Sequence, residues 1–142
     1  MTPTPTLDAL FTAALAARER AYAPYSHYRV GAALADESGR VFAGCNVENA
    51  AYPVGTCAEA GAIAAMAAGG GRRIEAILVV ADGPALVAPC GACRQRIREF
   101  ATEDTPVHLA DLGGVKRTLT LGDLLPFAFG PDTLGRAAGQ GA

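Results

Sequence analysis

Two cysteine-containing segments constrain this chain more than any other feature, because a fold that uses both must bring distant parts of the sequence together. The first, Thr56-Cys-Ala-Glu59, places a carboxylate two residues after a cysteine, and the second, Pro89-Cys-Gly-Ala-Cys93, supplies two more thiols. Three thiolates can hold Zn²⁺ and leave its fourth tetrahedral position to water, while a nearby carboxylate can transfer protons. The segments therefore predict an open, hydrolytic metal site with Cys57, Cys90 and Cys93 as ligands and Glu59 as acid and base.

Two other interpretations remain open, one because the chain has a further cysteine, Cys45, and one because Cys90 and Cys93 are separated by two residues. Cys45 could supply a further thiolate and close the coordination shell into a structural zinc site. Its position between Gly44 and Asn46 in an apolar segment favours a small buried side chain instead. A thioredoxin-like redox pair at Cys90 and Cys93 would leave the first segment unexplained. Because the four cysteines occur without an export signal, metal binding or catalysis is favoured over disulfide bonds.

Length and charge narrow the classes of partner. The 142 residues suffice for one domain with a single core. No apolar run reaches the roughly 20 residues that span a bilayer, and the N-terminal segment has no basic residue before its apolar stretch. We therefore expect a cytoplasmic protein with no membrane partner. The net charge is −2 and the only cluster of arginines is Arg94, Arg96 and Arg98, which is too small for a nucleic-acid surface. A small, uncharged substrate is favoured.

Apolar periodicity and chain breakers predict alternating helices and strands. We expect one domain over residues 7–130, with helices on both faces of a mostly buried sheet and flexible termini at 1–6 and 131–142. The predicted elements are a helix over 7–22, a hairpin with strands 28–35 and 40–46, a helix over 57–68, an interior strand over 74–81, a helix over 90–100, strands over 105–110 and 115–120, and a helical turn over 121–125.

Both cysteine segments lie at predicted helix starts, which matters for the charge of the site. Three thiolates and Zn²⁺ sum to −1, and this excess charge would make a bound water a poor acid. The positive N-terminal ends of two helices, and N–H groups directed at the thiolates, would draw off part of that charge.

Several other segments agree with the cysteine motifs, and together they resemble the small, homotetrameric, zinc-dependent cytidine deaminases. The general pattern of zinc deaminases is a His or Cys followed by x-Glu and then Pro-Cys-x-x-Cys. The resemblance implies a three-layer α/β/α fold with a five-stranded mixed sheet, one Zn²⁺ per chain, and active sites completed by neighbouring subunits of a tetramer. The matching runs are Pro24-Tyr-Ser26, Val30-Gly-Ala-Ala-Leu34, Gly44-Cys-Asn-Val-Glu-Asn-Ala-Ala-Tyr52, Thr56-Cys-Ala-Glu59, Pro89-Cys-Gly-Ala-Cys-Arg-Gln95, Leu124-Leu-Pro126 and Ala128-Phe129.

The resemblance also implies roles for individual residues. Glu59 would shuttle protons, Asn46 and Glu48 would hold the ribose, and Tyr28 would pack on the nucleoside. Phe129 would lie against the pyrimidine of an adjacent subunit. The remaining implied positions are Val47 and Ala58 in the substrate pocket, Ala50 and Tyr52 at a neighbour's ribose, and Arg94 and Gln95 behind the zinc ligands.

One position departs from the family pattern. Many members have Arg directly after the catalytic Glu, where it donates to the thiolates, and this chain has Ala60. We expect the helix ends, Arg94 and Gln95 to compensate, or else the site to be less active.

The function implied is hydrolytic deamination of cytidine and 2′-deoxycytidine to uridine and 2′-deoxyuridine plus ammonia, in pyrimidine salvage. Two alternatives remain: a deaminase of a modified cytosine nucleoside, similar to blasticidin S, and a non-catalytic module stabilised by zinc. The Asn46 and Glu48 pair argues against the first, and Glu59 argues against the second.

Overall fold

The computed structural model describes residues 4–140, in which helices and strands alternate as predicted. The first three and the last two residues, which belong to the predicted flexible termini, lie outside the described residues. The elements are α1 (Leu7–Glu19), β1 (Val30–Asp36), β2 (Val41–Cys45), α2 (Ala58–Ala68), β3 (Ile74–Ala81), α3 (Gly91–Phe100), β4 (Pro106–Asp111), β5 (Gly114–Thr120) and α4 (Leu121–Leu124), with 3₁₀ turns at Tyr52–Val54 and Pro131–Leu134.

The five strands form one mixed sheet in the order β2-β1-β3-β4-β5. Strand β3 pairs in parallel with β4, and the other three pairings are antiparallel. The strand over Ile74–Ala81 occupies the centre of the sheet, which confirms its prediction as an interior strand and accounts for its nearly continuous apolar sequence.

Helices cover both faces of the sheet, so the predicted three-layer α/β/α arrangement is confirmed. Helix α1 packs on one face, where Leu10 and Ala14 meet Leu78 and Val80 of β3. Helices α2, α3 and α4 pack on the other. The apolar side chains buried on that second face include Leu34, Ala62, Met66, Ile77, Val79, Ile97, Val107 and Leu121.

Two glycines allow the helices to approach the sheet closely. A Cβ atom at Gly31 would lie 2.0 Å from the carbonyl oxygen of Ala14 in α1, and one at Gly44 would lie 2.4 Å from the backbone nitrogen of Ala62 in α2. Real Cβ atoms do not make such contacts, so only glycine fits at either position. The close approach at Gly44 fixes α2, and with it the first cysteine segment, against the edge strand β2.

The first helix ends earlier than predicted, at Glu19 instead of Tyr22. The backbone of Tyr22 forms hydrogen bonds with a segment distant in sequence. Its N–H donates to the carbonyl of Asn46, and its carbonyl accepts from the N–H of Glu48. These hydrogen bonds are long-range in sequence, so helical periodicity could not reveal them.

The segment after residue 130 makes specific contacts. Asp132 accepts a hydrogen bond of 2.8 Å from Arg98, and the N–H of Gly139 donates to the carbonyl of Glu99 at 2.8 Å. The flexibility expected for residues 131–142 stays a prediction. Between residues 4 and 140, no helix combines the length and apolar character that crossing a membrane requires.

Candidate active site

The two cysteine segments meet at adjacent helix starts. Cys57 is the N-cap residue of α2, Cys90 is the N-cap residue of α3, and Cys93 lies in the first turn of α3. Their three Sγ atoms lie within 4.8 Å of one another. In the described part of the chain, no other His, Cys, Asp or Glu belongs to this cluster. Cys45 therefore does not close the shell, and it sits in β2 opposite Gly31.

The donor set fits zinc. Thiolates are soft ligands that select Zn²⁺ over magnesium or calcium, and three protein ligands with a fourth position left open are typical of catalytic zinc sites. With Zn–S bonds of about 2.3 Å, the sulfurs of a tetrahedral site lie roughly 3.8 Å apart, which matches the observed clustering. Cys57, Cys90 and Cys93 would hold the ion.

The thiols of the cluster are unequal. Burial raises the pKa of Cys57 and Cys93, whereas the N–H of Cys93 donates to the sulfur of Cys90 and lowers its pKa. Both raised pKa values lie above neutral pH, so the thiols of Cys57 and Cys93 favour the protonated form. Metal binding would release these protons, so metal affinity should rise with pH.

Glu59 is a buried carboxyl in the first turn of α2, with only 4% of its surface exposed. Burial raises its pKa, and the positive charge of Arg96 acts in the opposite direction. A carboxyl whose pKa is raised binds a proton more readily than an exposed one, which suits a group that must accept and return protons.

A cavity of about 370 Å³ opens beside Glu59 and two of the cysteines. The structure brings most of the predicted substrate residues to its wall, including Tyr52, which was expected at a neighbour's site. Cys93 is buried, and Ala50 and Phe129 do not line the cavity. The lining residues are Ser26, Tyr28, Val30, Asn46, Val47, Glu48, Tyr52, Gly55, Thr56, Cys57, Ala58, Glu59, Val87, Ala88 and Cys90.

Asn46 has structural contacts in addition to its predicted role. Its amide nitrogen donates to the carbonyl of Tyr28 at 2.8 Å, and its amide oxygen accepts from the N–H of Val30 at 2.9 Å. Asn46 therefore fixes the start of β1, and the backbone of Tyr28, against the end of β2.

Glu48 holds the loop before β1 in a similar way. One carboxylate oxygen accepts the N–H groups of Tyr25 at 2.9 Å and Ser26 at 3.1 Å, and the other accepts the Ser26 hydroxyl. The Ser26 hydroxyl lowers the pKa of Glu48, so the carboxylate is ionised at neutral pH. These contacts use part of its accepting capacity and leave the remainder for a ligand.

The arginines of α3 differ from the expectation. Arg94 does not contact a thiolate, because its guanidinium donates to the carbonyls of Pro89 and Leu124 at 2.7 and 2.9 Å. Gln95 donates to the carbonyl of Phe129 at 2.8 Å. The guanidinium that reaches a ligand sulfur is that of Arg96.

Sequence reasoning missed two side chains of this region, Ser26 and Arg96. The signal for Arg96 was present, because a residue three positions after Cys93 lies on the same face of a helix. Ser26 belongs to the matching run Pro24-Tyr-Ser26, to which no role was given. Only the fold shows that it lies next to Glu48.

Comparisons with known proteins agree with this geometry. Residues 5–109 match the family model described as the cytidine and deoxycytidylate deaminase zinc-binding region. A cytidine deaminase of Sporosarcina psychrophila is 48% identical over 124 residues, covering 87% of this chain and 91% of the relative. One of Halalkalibacterium halodurans is 47% identical over 120 residues, covering 84% and 91%. The crystal structure of a cytidine deaminase from Burkholderia pseudomallei has a TM-score of 0.82 at 49% identity, covering 88% of this chain and 100% of that one.

Proposed function

Because the chain belongs to the zinc-binding cytidine and deoxycytidylate deaminase family, we propose that it hydrolyses cytidine and 2′-deoxycytidine to uridine and 2′-deoxyuridine, with release of ammonia. The observation that carries the proposal is the position of Glu59, a buried carboxyl beside Cys57 and Cys90 on the wall of one cavity. A purely structural metal site would need neither the carboxyl nor the cavity.

Glu59 performs the proton transfers of this reaction. When bound by the three thiolates, Zn²⁺ would supply a Lewis acid that activates water. Glu59 accepts a proton from the attacking water, delivers it to N3 of the cytosine ring, and passes the second proton to the departing amino group. Oxygen is thereby added at C4 and ammonia leaves. The raised pKa of Glu59 supports this role, because the group must be able to hold the proton between the two transfers.

The lining of the cavity favours a nucleoside over a nucleotide. Among the described residues no Lys or Arg lines it, whereas Glu48 places a negative charge at its wall. A phosphate group would be repelled there and would find no basic partner, but a ribose diol can donate to the carboxylate and bond to the amide of Asn46. The volume of about 370 Å³ lies in the range of roughly 300–1,000 Å³ common for small-molecule pockets.

Exposed aromatic residues support an oligomer, with a homotetramer as the specific proposal. Tyr52 is 74% exposed, Phe129 is 59% exposed, and Phe127 is fully exposed. Phe127 and Phe129 lie two residues apart in one segment, and neighbouring exposed aromatic side chains are typical of an association surface. A neighbouring subunit would cover them, and Phe129 would then close a cavity other than its own. Ala50, which is also exposed, would reach the ribose of a neighbour.

The cellular role proposed is pyrimidine salvage in the cytoplasm. A pocket that selects free nucleosides suits an enzyme that converts cytosine nucleosides into the corresponding uracil nucleosides for reuse.

Ammonia release from four cytosine compounds tests the function. Purified, zinc-loaded protein is incubated with cytidine, deoxycytidine, cytosine and CMP, and kcat/KM is measured for each. We expect activity on the two nucleosides, with at least about 100-fold lower kcat/KM for the free base, which lacks the ribose contacts, and for CMP. A preference for CMP would contradict the proposed role of Glu48, and no ammonia from any compound would refute the function.

A further inference from the structure

The three alternating arginines of α3 have different partners. Arg94 and Arg98 donate to backbone carbonyls, and Arg98 also pairs with Asp132. Arg96 instead places Nη1 3.4 Å from the Sγ atom of Cys93. Within residues 4–140, no other basic side chain hydrogen-bonds to one of the three sulfurs.

The site has an excess of negative charge that Arg96 can offset. Zinc with three thiolates carries a formal charge of −1, and Glu59 adds a second negative charge whenever it is ionised to accept a proton. Cys93 is fully buried and Glu59 nearly so, so water screens neither group well. The N-terminal ends of α2 and α3 supply only partial positive charges. Arg96 is the full positive charge that hydrogen-bonds to the cluster.

We propose that Arg96 is a positioning residue that keeps the zinc–thiolate centre electrophilic by withdrawing electron density from the sulfur of Cys93. This inference rests on the proposed deaminase function. Donation from a guanidinium makes the thiolate a weaker electron donor, so less of the metal's charge is cancelled. The role is indirect, because Arg96 does not line the cavity and acts only through Cys93.

The geometry favours this role over that of an ordinary surface arginine. The residue lies three positions after Cys93 on the same helix, so the helix itself holds the guanidinium over the sulfur. Among the described residues no carboxylate pairs with Arg96, although acidic side chains accept the hydrogen bonds of Arg40 and Arg98. Because Arg96 is an exposed residue, solvent screens part of its charge and the effect should be moderate.

Two substitutions separate charge from side-chain length. Arg96→Gln removes the charge and retains a donor, whereas Arg96→Lys retains the charge. The control is Arg73→Gln, which removes the same charge from a surface arginine whose side chain hydrogen-bonds to Glu75 and not to the cluster. Each zinc-loaded protein is assayed for kcat and KM with cytidine, and zinc affinity is measured by competition with a chelator. The Co²⁺-substituted proteins provide the thiolate-to-cobalt absorption band.

We expect Arg96→Gln to lower kcat about 10-fold, with KM changed less than about twofold. Zinc binding should weaken about 10-fold, because the anionic zinc–thiolate centre loses a stabilising positive charge. Its cobalt charge-transfer band should move to lower energy, because the thiolate becomes more electron-rich. Arg96→Lys should recover most of each loss, and Arg73→Gln should match the wild type. If the glutamine variant folds poorly, Arg96→Met provides a second uncharged side chain of similar length.

The proposal is overturned if the uncharged variants keep the kcat, zinc affinity and cobalt spectrum of the wild type. It is also overturned if Arg96→Lys is as impaired as Arg96→Gln, or if Arg73→Gln shows the same losses. Failure of the deaminase function would be distinguishable, since the wild type would then release no ammonia while zinc affinity and the cobalt band still report on Arg96.

Discussion

Ser26 donates its hydroxyl hydrogen to the carboxylate of Glu48, and the same hydroxyl oxygen accepts the N–H of Tyr28 at 3.0 Å. One small side chain thus links the proposed ribose ligand, Glu48, to the backbone of Tyr28, whose ring is proposed to pack on the nucleoside. His27, which lies between Ser26 and Tyr28, has a positive φ of 58°, which most side chains avoid, so the loop needs these contacts to keep its shape. Glu48 and Tyr28 are therefore positioned together.

We predict that Ser26→Ala weakens substrate binding without impairing the chemistry. Loss of the hydroxyl releases both Glu48 and the backbone of Tyr28, so KM for cytidine should rise about 2- to 10-fold while kcat stays within about twofold. Steady-state assays on zinc-loaded protein provide the measurement. Ser38→Ala is the matched control, because Ser38 is an exposed serine in the β1–β2 turn and should leave KM unchanged. Equal KM values for the Ser26 variant and the wild type would show that the loop holds its shape without the hydroxyl.

Glu59→Gln should abolish most of the turnover and leave the metal site intact. Glutamine has nearly the same shape but cannot accept the proton of the water, so kcat should fall on the order of 10²–10⁴-fold. Metal analysis of the purified variant should still give about one zinc per chain, because all three cysteines remain. Near-normal turnover would exclude Glu59 as the proton shuttle. Loss of zinc from the variant would instead mean that Glu59 supports the ligands.

We predict that the buried carboxylate of Asp36 makes part of the free energy of unfolding depend on pH. Burial alone would raise its pKa, but hydrogen bonds from the N–H of Arg40 and Ser38 and from the Arg40 guanidinium hold it below the ordinary value of 3.8. A carboxyl whose pKa is lower when folded stabilises the fold above its unfolded pKa, and loses that contribution as pH falls through its folded pKa. Asp36→Asn should therefore lower the free energy of unfolding by about 1–3 kcal/mol at pH 7.

Urea denaturation between pH 7 and pH 3 checks this prediction. The difference in unfolding free energy between wild type and Asp36→Asn should stay constant down to about pH 5 and narrow below about pH 4. The control is Glu75→Gln, because this exposed carboxylate makes only a surface ion pair. A difference that persists undiminished at pH 3 would mean that the effect comes from packing and not from the charge.

How far the sequence determined these results depends on whether the relevant contacts are local. The ligand cysteines and Glu59 follow from short motifs at helix starts, and the interior strand follows from its apolar run. The end of α1 could not be read in this way, because the backbone of Tyr22 pairs with residues more than twenty positions away. Arg96 could have been identified from helical spacing, since it lies three positions after Cys93 on the same helix, but the clustering of the α3 arginines alone does not single it out. Ser26 acquires its role only because the fold brings two segments of the chain together.

The last prediction concerns Phe129, which lies outside the cavity of its own chain. Its ring is 59% exposed, and Gln95 holds its backbone carbonyl at 2.8 Å, so the segment is fixed while the side chain faces outward. If a neighbour's pyrimidine stacks on this ring, Phe129→Ala should raise KM roughly 5- to 150-fold, since base–aromatic stacking contributes about 1–3 kcal/mol. Leu134→Ala, which removes another exposed apolar side chain, should leave KM unchanged.

Mixed oligomers distinguish stacking in a neighbouring subunit from packing within the same chain. Chains carrying Glu59→Gln and chains carrying Phe129→Ala are refolded together, and the mixed assemblies are isolated by differential tagging. A shared site predicts that some cavities combine an intact Glu59 with an intact Phe129 from the next subunit, so activity with the low KM of the wild type returns in part. A site contained in one chain predicts no such recovery, because each chain then lacks one of the two residues. Wild-type KM and kcat in a verified monomer would likewise exclude sharing, since no neighbour would be present to contribute the ring.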